Sequence, residues 1–203
     1  MASLGPVTLT GTHIRLEPMR PAHAAALLEA GRAAEIWEWM PSRPLDPAAM
    51  EGWLKKAMQA ESTGREYPFV VSLAPSGRVV GSTRYLDVHE EDRNVEIGWT
   101  WYALDTWGSV VNPEAKYLLM RHAFEAWGAI RVALKTDIRN LHSQAAIKKL
   151  GAKYEGLLRN QRIRPDGSYR DTVLFSITER EWPAVKSRLE ERIDRLTPRG
   201  RAT

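Results

Sequence analysis

The chain has 203 residues, 43% hydrophobic and 27% charged, with eight tryptophans, so it is long enough to bury a substantial core and is neither disordered nor of low complexity. The formal charge of +4 is modest and interspersed with acids except toward Arg192–Arg201, and no nucleic-acid-binding module is recognisable. The absence of cysteine removes disulfides, thiolate metal sites and cysteine nucleophiles. With no apolar run of about 18 residues and no basic, apolar leader, the expectation is one domain over 1–203, cytoplasmic and without membrane contact.

In chain order, residues 7–18 predict a strand with a turn at Gly11-Thr12, followed by a helix from Pro21 to about Gly31. Trp37, Trp39, Met40 and Pro41 form an aromatic link to a second helix, Pro47 to about Ser62, with Met50, Trp53, Leu54 and Met58 at helical spacing. Two strands, 67–74 and 78–88, meet at Pro75-Ser76-Gly77. Residues 94–101 then alternate, which predicts Val95, Ile97, Trp99 and Trp101 on one face and Glu96, Gly98 and Thr100 on the other. After a loop, Asn112-Pro113-Glu114 reads as a helix start, with Asn112 as cap and the helix running to about Trp127. A strand over 130–136, a helix from Asn140 to Leu150, and two long strands joined at Pro165-Asp166-Gly167 come next. That long hairpin could pair across a homodimer axis. Thr178–Glu181 reads as a capping box opening an amphipathic helix with Trp182, Val185, Leu189, Ile193 and Leu196.

A strand, a loop and a helix N-terminus in succession present free N–H groups and the positive end of a helix dipole. The first functional expectation is therefore a phosphate-bearing ligand near Asn112–Glu114. Glu96 is the acid on the polar face of the central strand, and Gly98 beside it leaves room for a ligand to approach; a carboxylate there can deprotonate an ammonium group. The competing reading is a solvated surface glutamate. Asn140 and Ser143 suit a helix cap and first turn, which would by itself account for both. His122 reads as a satisfied core histidine, and His142 has no partner at metal-ligand spacing.

The element order, the Asn140-x-x-Ser143 and Leu150-Gly151-Ala152 pattern, and the Arg164-Pro165-Asp166-Gly167 hairpin followed by Arg170-Asp171-Thr172 resemble the Gcn5-related N-acetyltransferase (GNAT) superfamily. Over residues 7–178 the similarity is to its RimJ/RimL-like branch of ribosomal-protein N-terminal acetyltransferases. The resemblance implies an α/β fold with a mixed, mostly antiparallel central sheet splayed at the cofactor site and helices on both faces. It also implies acetyl transfer from acetyl-CoA to an amine without a metal. Carried over residue by residue, it makes Glu96 the base and assigns Asn140 to the pantetheine arm. Ser143 lies near the sulfur as proton donor, because Ile147 stands where many relatives have a tyrosine. Backbone groups of Trp99, Thr100 and Trp101 would face the oxyanion, and Val110, Val111, Asn112 and Glu114 the diphosphate.

The loop departs from the superfamily pattern at Trp107 and Val110. Glycine is usual where Val110 stands, and a β-branched residue forced to positive φ would weaken CoA binding, so Val110→Gly is expected to tighten it. Trp37, Trp39, Met40, Arg43, Arg84 and Tyr85 are the candidates for the acceptor pocket, with core packing as the alternative for each. The function expected is N-acetylation of a protein α-amino group or a small amine. Its rivals are a detoxifying transferase for an amine antibiotic or polyamine, and a GNAT-fold binding protein that no longer uses CoA.

Overall fold

The computed structural model describes residues 3–164 and 166–197. Strands β1 (Leu9–Thr10), β2 (Ile14–Pro18), β3 (Tyr67–Leu73), β4 (Val79–His89), β5 (Asn94–Tyr102), β6 (Arg131–Asp137), β7 (Lys153–Ile163) and β8 (Tyr169–Thr178) form one sheet in the order β1-β2-β3-β4-β5-β6-β8-β7. Every neighbouring pair is antiparallel except β5 and β6, which are parallel and joined by a helical crossover, as a parallel pair requires. The helices are α1 (Ala24–Ala30), α2 (Pro47–Ser62), α3 (Val111–Arg121), α4 (Leu141–Lys149) and α5 (Trp182–Leu196).

Strand alternation gives the sheet two buried faces. The larger core sets Phe69, Val71, Tyr85, Val95, Ile97 and Val132 against α3, α4 and α5. On the opposite face a smaller core joins Val70 and Trp101 to Trp37 and to Leu27 of α1 and Met50, Trp53 and Leu54 of α2. Helix α2 has the expected bounds because Asp46 caps it, its carboxylate accepting the Ala49 N–H at 2.8 Å with Pro47 at the first turn. The buried stripe of α2 ends on Ala57, while Met58 is only half-buried.

Two expectations are corrected at this level. Trp99 has φ +50, and the β4–β5 register shifts between Ser82 and Arg84, so a bulge interrupts the alternation. Trp101 therefore leaves the face of Val95 and Ile97 and packs with Trp37 and Trp53 at 4.8 and 6.3 Å, while Tyr102 takes its place on the larger core. The second correction concerns the helix start. Helix α3 begins at Val111 with Val110 as cap, so Asn112 and Pro113 lie inside its first turn, where proline's missing N–H has no helical partner to lose. The helix continues as a wider π turn, His122–Trp127, and stops at Gly128 in the left-handed region. His122 within it is half-buried, and its Nδ1 has no hydrogen-bond partner among the described residues.

At the β7–β8 turn, Gly167 has φ +80, Arg164 N–H donates to the Ser168 carbonyl at 2.8 Å and Ser168 N–H to Asp166 Oδ1 at 2.9 Å. Pro165 lies outside the described residues, as does the basic tail beyond Thr197. Ahead of α5, the expected capping box keeps its reach-back arm: the Thr178 N–H donates to Glu181 Oε2 at 2.9 Å, although the helix itself starts at Trp182. Among the described residues no helix is long and apolar enough to cross a membrane.

Candidate active site

The site begins where the parallel pairing stops. Only Asn94–Glu96 pair with Arg131–Ala133; beyond Glu96, strand β5 is bonded to β4 alone and its other edge is open. The Trp99 bulge accounts for the separation, since an extra residue bends and twists its strand away from a neighbour. Glu96 thus sits at the fork, on the face opposite Val95 and Ile97 as the alternation predicts. It is not a solvated surface acid. Its side chain is buried at 8% exposure and its Oε2 lies 2.7 Å from Lys135 Nζ. Burial raises its pKa above the ordinary value, against the opposing pull of Lys135 and Arg162. A Cβ on Gly98 would stand 3.3 Å from Glu96 Oε1 and 3.1 Å from Leu86, so glycine keeps the approach to this oxygen clear.

On the open edge, Thr100 Oγ1 bonds Thr83 Oγ1 at 2.8 Å and accepts from Lys116 Nζ at 2.7 Å. Lys116 reaches this point from α3, fully enclosed, and burial lowers its pKa to about 7. Sequence reading missed Lys116 and Lys135. The signals were there: a lysine among the apolar positions of α3, and polar side chains at alternate positions of β6. The Trp99 ring covers the Arg84 guanidinium at 4.6 Å.

The loop that leads into α3, the diphosphate cradle expected from the sequence, turns without strain. Its positive φ falls on Gly108, at +76 with nothing within 4 Å of an added Cβ, whereas Val110 sits at φ −68 and ψ −17. The expected strain at Val110 is absent. The helical ladder starts with Glu114 N–H donating to Val110 carbonyl; ahead of it the Val111 N–H donates to Ser109 Oγ at 3.3 Å, which leaves the N–H of Asn112 at the helix start. Glu114, by contrast, is turned away from this cradle. Its buried carboxylate accepts the N–H groups of Thr12, His13 and Ile14 at 2.7–3.1 Å and so closes the β1–β2 turn. Trp107 is half exposed; its indole donates to the Tyr102 carbonyl and stacks on His142 at the start of α4. Asn140 caps α4 as expected, its Oδ1 accepting the Ser143 N–H at 2.9 Å, which leaves the Ser143 hydroxyl without a capping duty.

On the α1/α2 side, the six acceptor candidates divide. Trp37 and Tyr85 are fully buried, Trp37 in the smaller core and Tyr85 with its hydroxyl donating to Leu119 carbonyl in the larger. Arg84 is buried too, bonded to Glu66 at 2.9 Å and enclosed by the rings of Trp53 and Trp99. These three pack the structure and line neither of the two cavities described next. Trp39, Met40 and Arg43 do, in a cavity of about 160 Å³ closed on its far side by Asp137, Arg139 and the arginines of the β7–β8 hairpin. A wider concavity of about 700 Å³ beside the Asn160 bulge is lined by residues of the hairpin alone, 157–161 and Asp171.

A forked mixed sheet, a buried carboxylate at the fork, an open strand edge and a helix N-terminus beside it define a class: a mixed α/β domain with an acid–base site at the split of its sheet. Comparison with known proteins gives the family. Residues 13–153 match the acetyltransferase (GNAT) domain, and the chain belongs to that family. A structure from T. thermophilus, described provisionally as an acetyltransferase, is 38% identical, with TM-score 0.83 over 93% of this chain and 97% of that one. The structure of Mycobacterium smegmatis RimJ in complex with CoA-disulfide is 26% identical, with TM-score 0.80 over 95% and 97% of the two chains. A Bacillus subtilis (strain 168) protein, YdaF, provisionally named a ribosomal N-acetyltransferase, is 29% identical over 54% of this chain and 59% of its own length. These relatives agree with a place in the RimJ/RimL-like branch.

Proposed function

We propose that this protein is an acetyl-CoA-dependent N-acetyltransferase whose acceptor is the α-amino group of a protein or a small amine. The observation that carries the reading is the buried Glu96 carboxylate at the point where β5 and β6 part. Acetyl-CoA, when bound, supplies an acetyl thioester. The N–H of Asn112 at the start of α3 suits its diphosphate, helped by the helix dipole. Asn140 and the open edge from Trp99 to Trp101 suit its pantetheine arm. RimJ, bound to a CoA derivative and similar over nearly the whole chain, supports this assignment.

Glu96 takes the proton from the acceptor ammonium. Its pKa, raised by burial, makes it a stronger base than an exposed glutamate, and Lys135 on Oε2 holds the carboxylate in place while Oε1 faces the gap beside Gly98. An α-amine, with an ordinary pKa of about 7.7–8, asks less of such a base than a lysine at about 10.4. By the family resemblance, backbone N–H groups of Trp99 to Trp101 on the open edge would face a carbonyl oxygen gaining charge, and the Ser143 hydroxyl would protonate the departing sulfur. The negative φ of Val110 weighs against reading the chain as a fold that no longer uses CoA.

The test is thiol release from acetyl-CoA with a panel of N-terminal peptides and small amines. Glu96→Gln is expected to lower the chemical rate by roughly 10²–10⁴-fold with acetyl-CoA affinity nearly unchanged. Full activity of that variant at neutral pH would remove Glu96 from the mechanism.

A further inference from the structure

The cavity between the 37–43 link and the β7–β8 hairpin carries more positive charge than the protein uses. It is lined by five arginines, at positions 43, 139, 162, 164 and 170, and by only three acids, Glu38, Asp137 and Asp166. The most buried of these acids is already committed. Asp137 receives Arg164 on both oxygens, at 2.7 and 2.9 Å, and the Arg139 N–H at 2.9 Å. Arg170 comes no nearer to Asp137 than 4.0 Å, and its buried Nε has no hydrogen-bond partner among the described residues. Arg162 stands directly across from Arg170 in the hairpin, a like-charge pair that costs stability unless an anion joins it. Arg139 rests on the Trp39 ring, 5.9 Å from its centroid, and among the described residues neither it, Arg43 nor Arg162 has an acid within ion-pair distance.

The position of this charge relative to Glu96 sets the geometry. Arg162 and Arg170 line the near side, close enough to act on Glu96; Glu96 is in register with Ala133, and Asp137 on the far wall lies four residues further along β6, roughly 13 Å away at the rise of a β-strand. An extended acceptor with its amine at Glu96 covers that distance with its second to fourth residues. We propose that the arginine cavity selects acceptor chains bearing a carboxylate side chain within the second to fourth residues of the reacting N-terminus, and turns away cationic amines such as polyamines. The inference rests on the acyl-transfer reading above and narrows its acceptor. Arg170 and Arg162 provide charge-assisted bonds, Trp39 and Met40 flank the chain, and Arg43 and Arg139 extend the positive field to the rim.

The experiment presents the full-length protein and acetyl-CoA with three peptides in one tube, identical except for acidic, neutral amide or basic side chains at positions two to four. Mass spectrometry gives the ratio of their acetylation rates. The acidic peptide is expected to lead the neutral one by roughly tenfold or more, the basic one to trail, and the ratio to fall as salt rises. In Arg170→Gln, and separately in Arg43→Gln, which lies outside the hairpin and tests the charge without disturbing it, the acidic-to-neutral ratio is expected to move toward one. Equal rates on the acidic and neutral peptides, or a preference unchanged in both variants, would overturn the proposal. If no amine is acetylated, the acyl-transfer reading fails. Calorimetric titration of the acidic and neutral peptides then decides the cavity by itself: tighter acidic binding that weakens in Arg170→Gln supports it, and equal binding overturns it.

Discussion

Lys116 is the residue whose chemistry departs furthest from its surroundings. It is buried, bonded to a hydroxyl and, among the described residues, without a carboxylate partner, and burial lowers its pKa from 10.5 to about 7. The unfolded chain binds this proton up to about pH 10.5, while the folded chain releases it near 7. Between these values the unfolded state holds more protons, so stability rises with pH across that window, by up to about 1.4 kcal/mol per unit, and the contribution is flat below it. Lys116→Met is expected to be at least as stable as the parent at pH 7 and to lose this slope. Urea unfolding of both proteins at pH 6, 7.5 and 9 measures it, and parallel pH profiles would rule it out. Val110 provides a second test at this scale. Because it is buried at a negative φ, Val110→Gly removes packed surface and loosens the loop, costing about 1–3 kcal/mol of stability without tightening CoA binding. Thermal melts and calorimetry with acetyl-CoA check both halves.

Within single elements, capping and chemistry can be separated on α4. Asn140 bonds the Ser143 N–H rather than its hydroxyl, so Ser143→Ala is expected to keep stability within about 1 kcal/mol while thiol release slows. Asn140→Ala is expected to cost about 0.5–2 kcal/mol. A loss of stability in Ser143→Ala with turnover per folded molecule unchanged would leave the hydroxyl a structural role only. The start of α3 carries a different obligation. Glu114 ties that helix to the β1–β2 turn, and Gly11 is required there because a Cβ would lie 2.5 Å from Glu114 Oε1. In Glu114→Ala three backbone donors lose their acceptor, and melting temperature is expected to fall with both the turn and the helix N-terminus loosened.

Across the molecule, the sheet separates two cores and forks between β5 and β6, and on the acceptor side proposed above the tip of the β7–β8 hairpin is tied to β6. Asp137 does this through Arg164. Burial pushes the Asp137 carboxyl up, but the Arg164 bonds and the Arg139 N–H outweigh it and hold its pKa below the ordinary carboxylate value. A depressed folded pKa contributes stability above the unfolded value of about 3.9 that is lost as pH falls through the folded one. Melts between pH 6 and pH 2 should therefore show loss concentrated below about pH 4. Asp137→Asn should melt lower at pH 6 and show a flatter acid limb.

What the sequence determined by itself is what neighbouring residues decide. Periods of two and 3.6 located the strands and helices, turn chemistry located Gly77 and Gly167, and local capping located Asn140. Alternation upstream of the bulge put Glu96 on the face opposite Val95 and Ile97. Family resemblance then connected these places to a chemistry. The tertiary structure decided what depends on partners far along the chain. A bulge at Trp99 moved Trp101 to the other core, because Trp37 and Trp53 offer the space there. Glu114 went to backbone donors a hundred residues away, since a buried carboxylate must satisfy its oxygens wherever N–H groups converge. Val110 stayed helical because Gly108 absorbed the turn. Arginines at 43, 139, 162, 164 and 170 became one site only when the link and the hairpin met, for the charge of a cavity belongs to whichever elements close it.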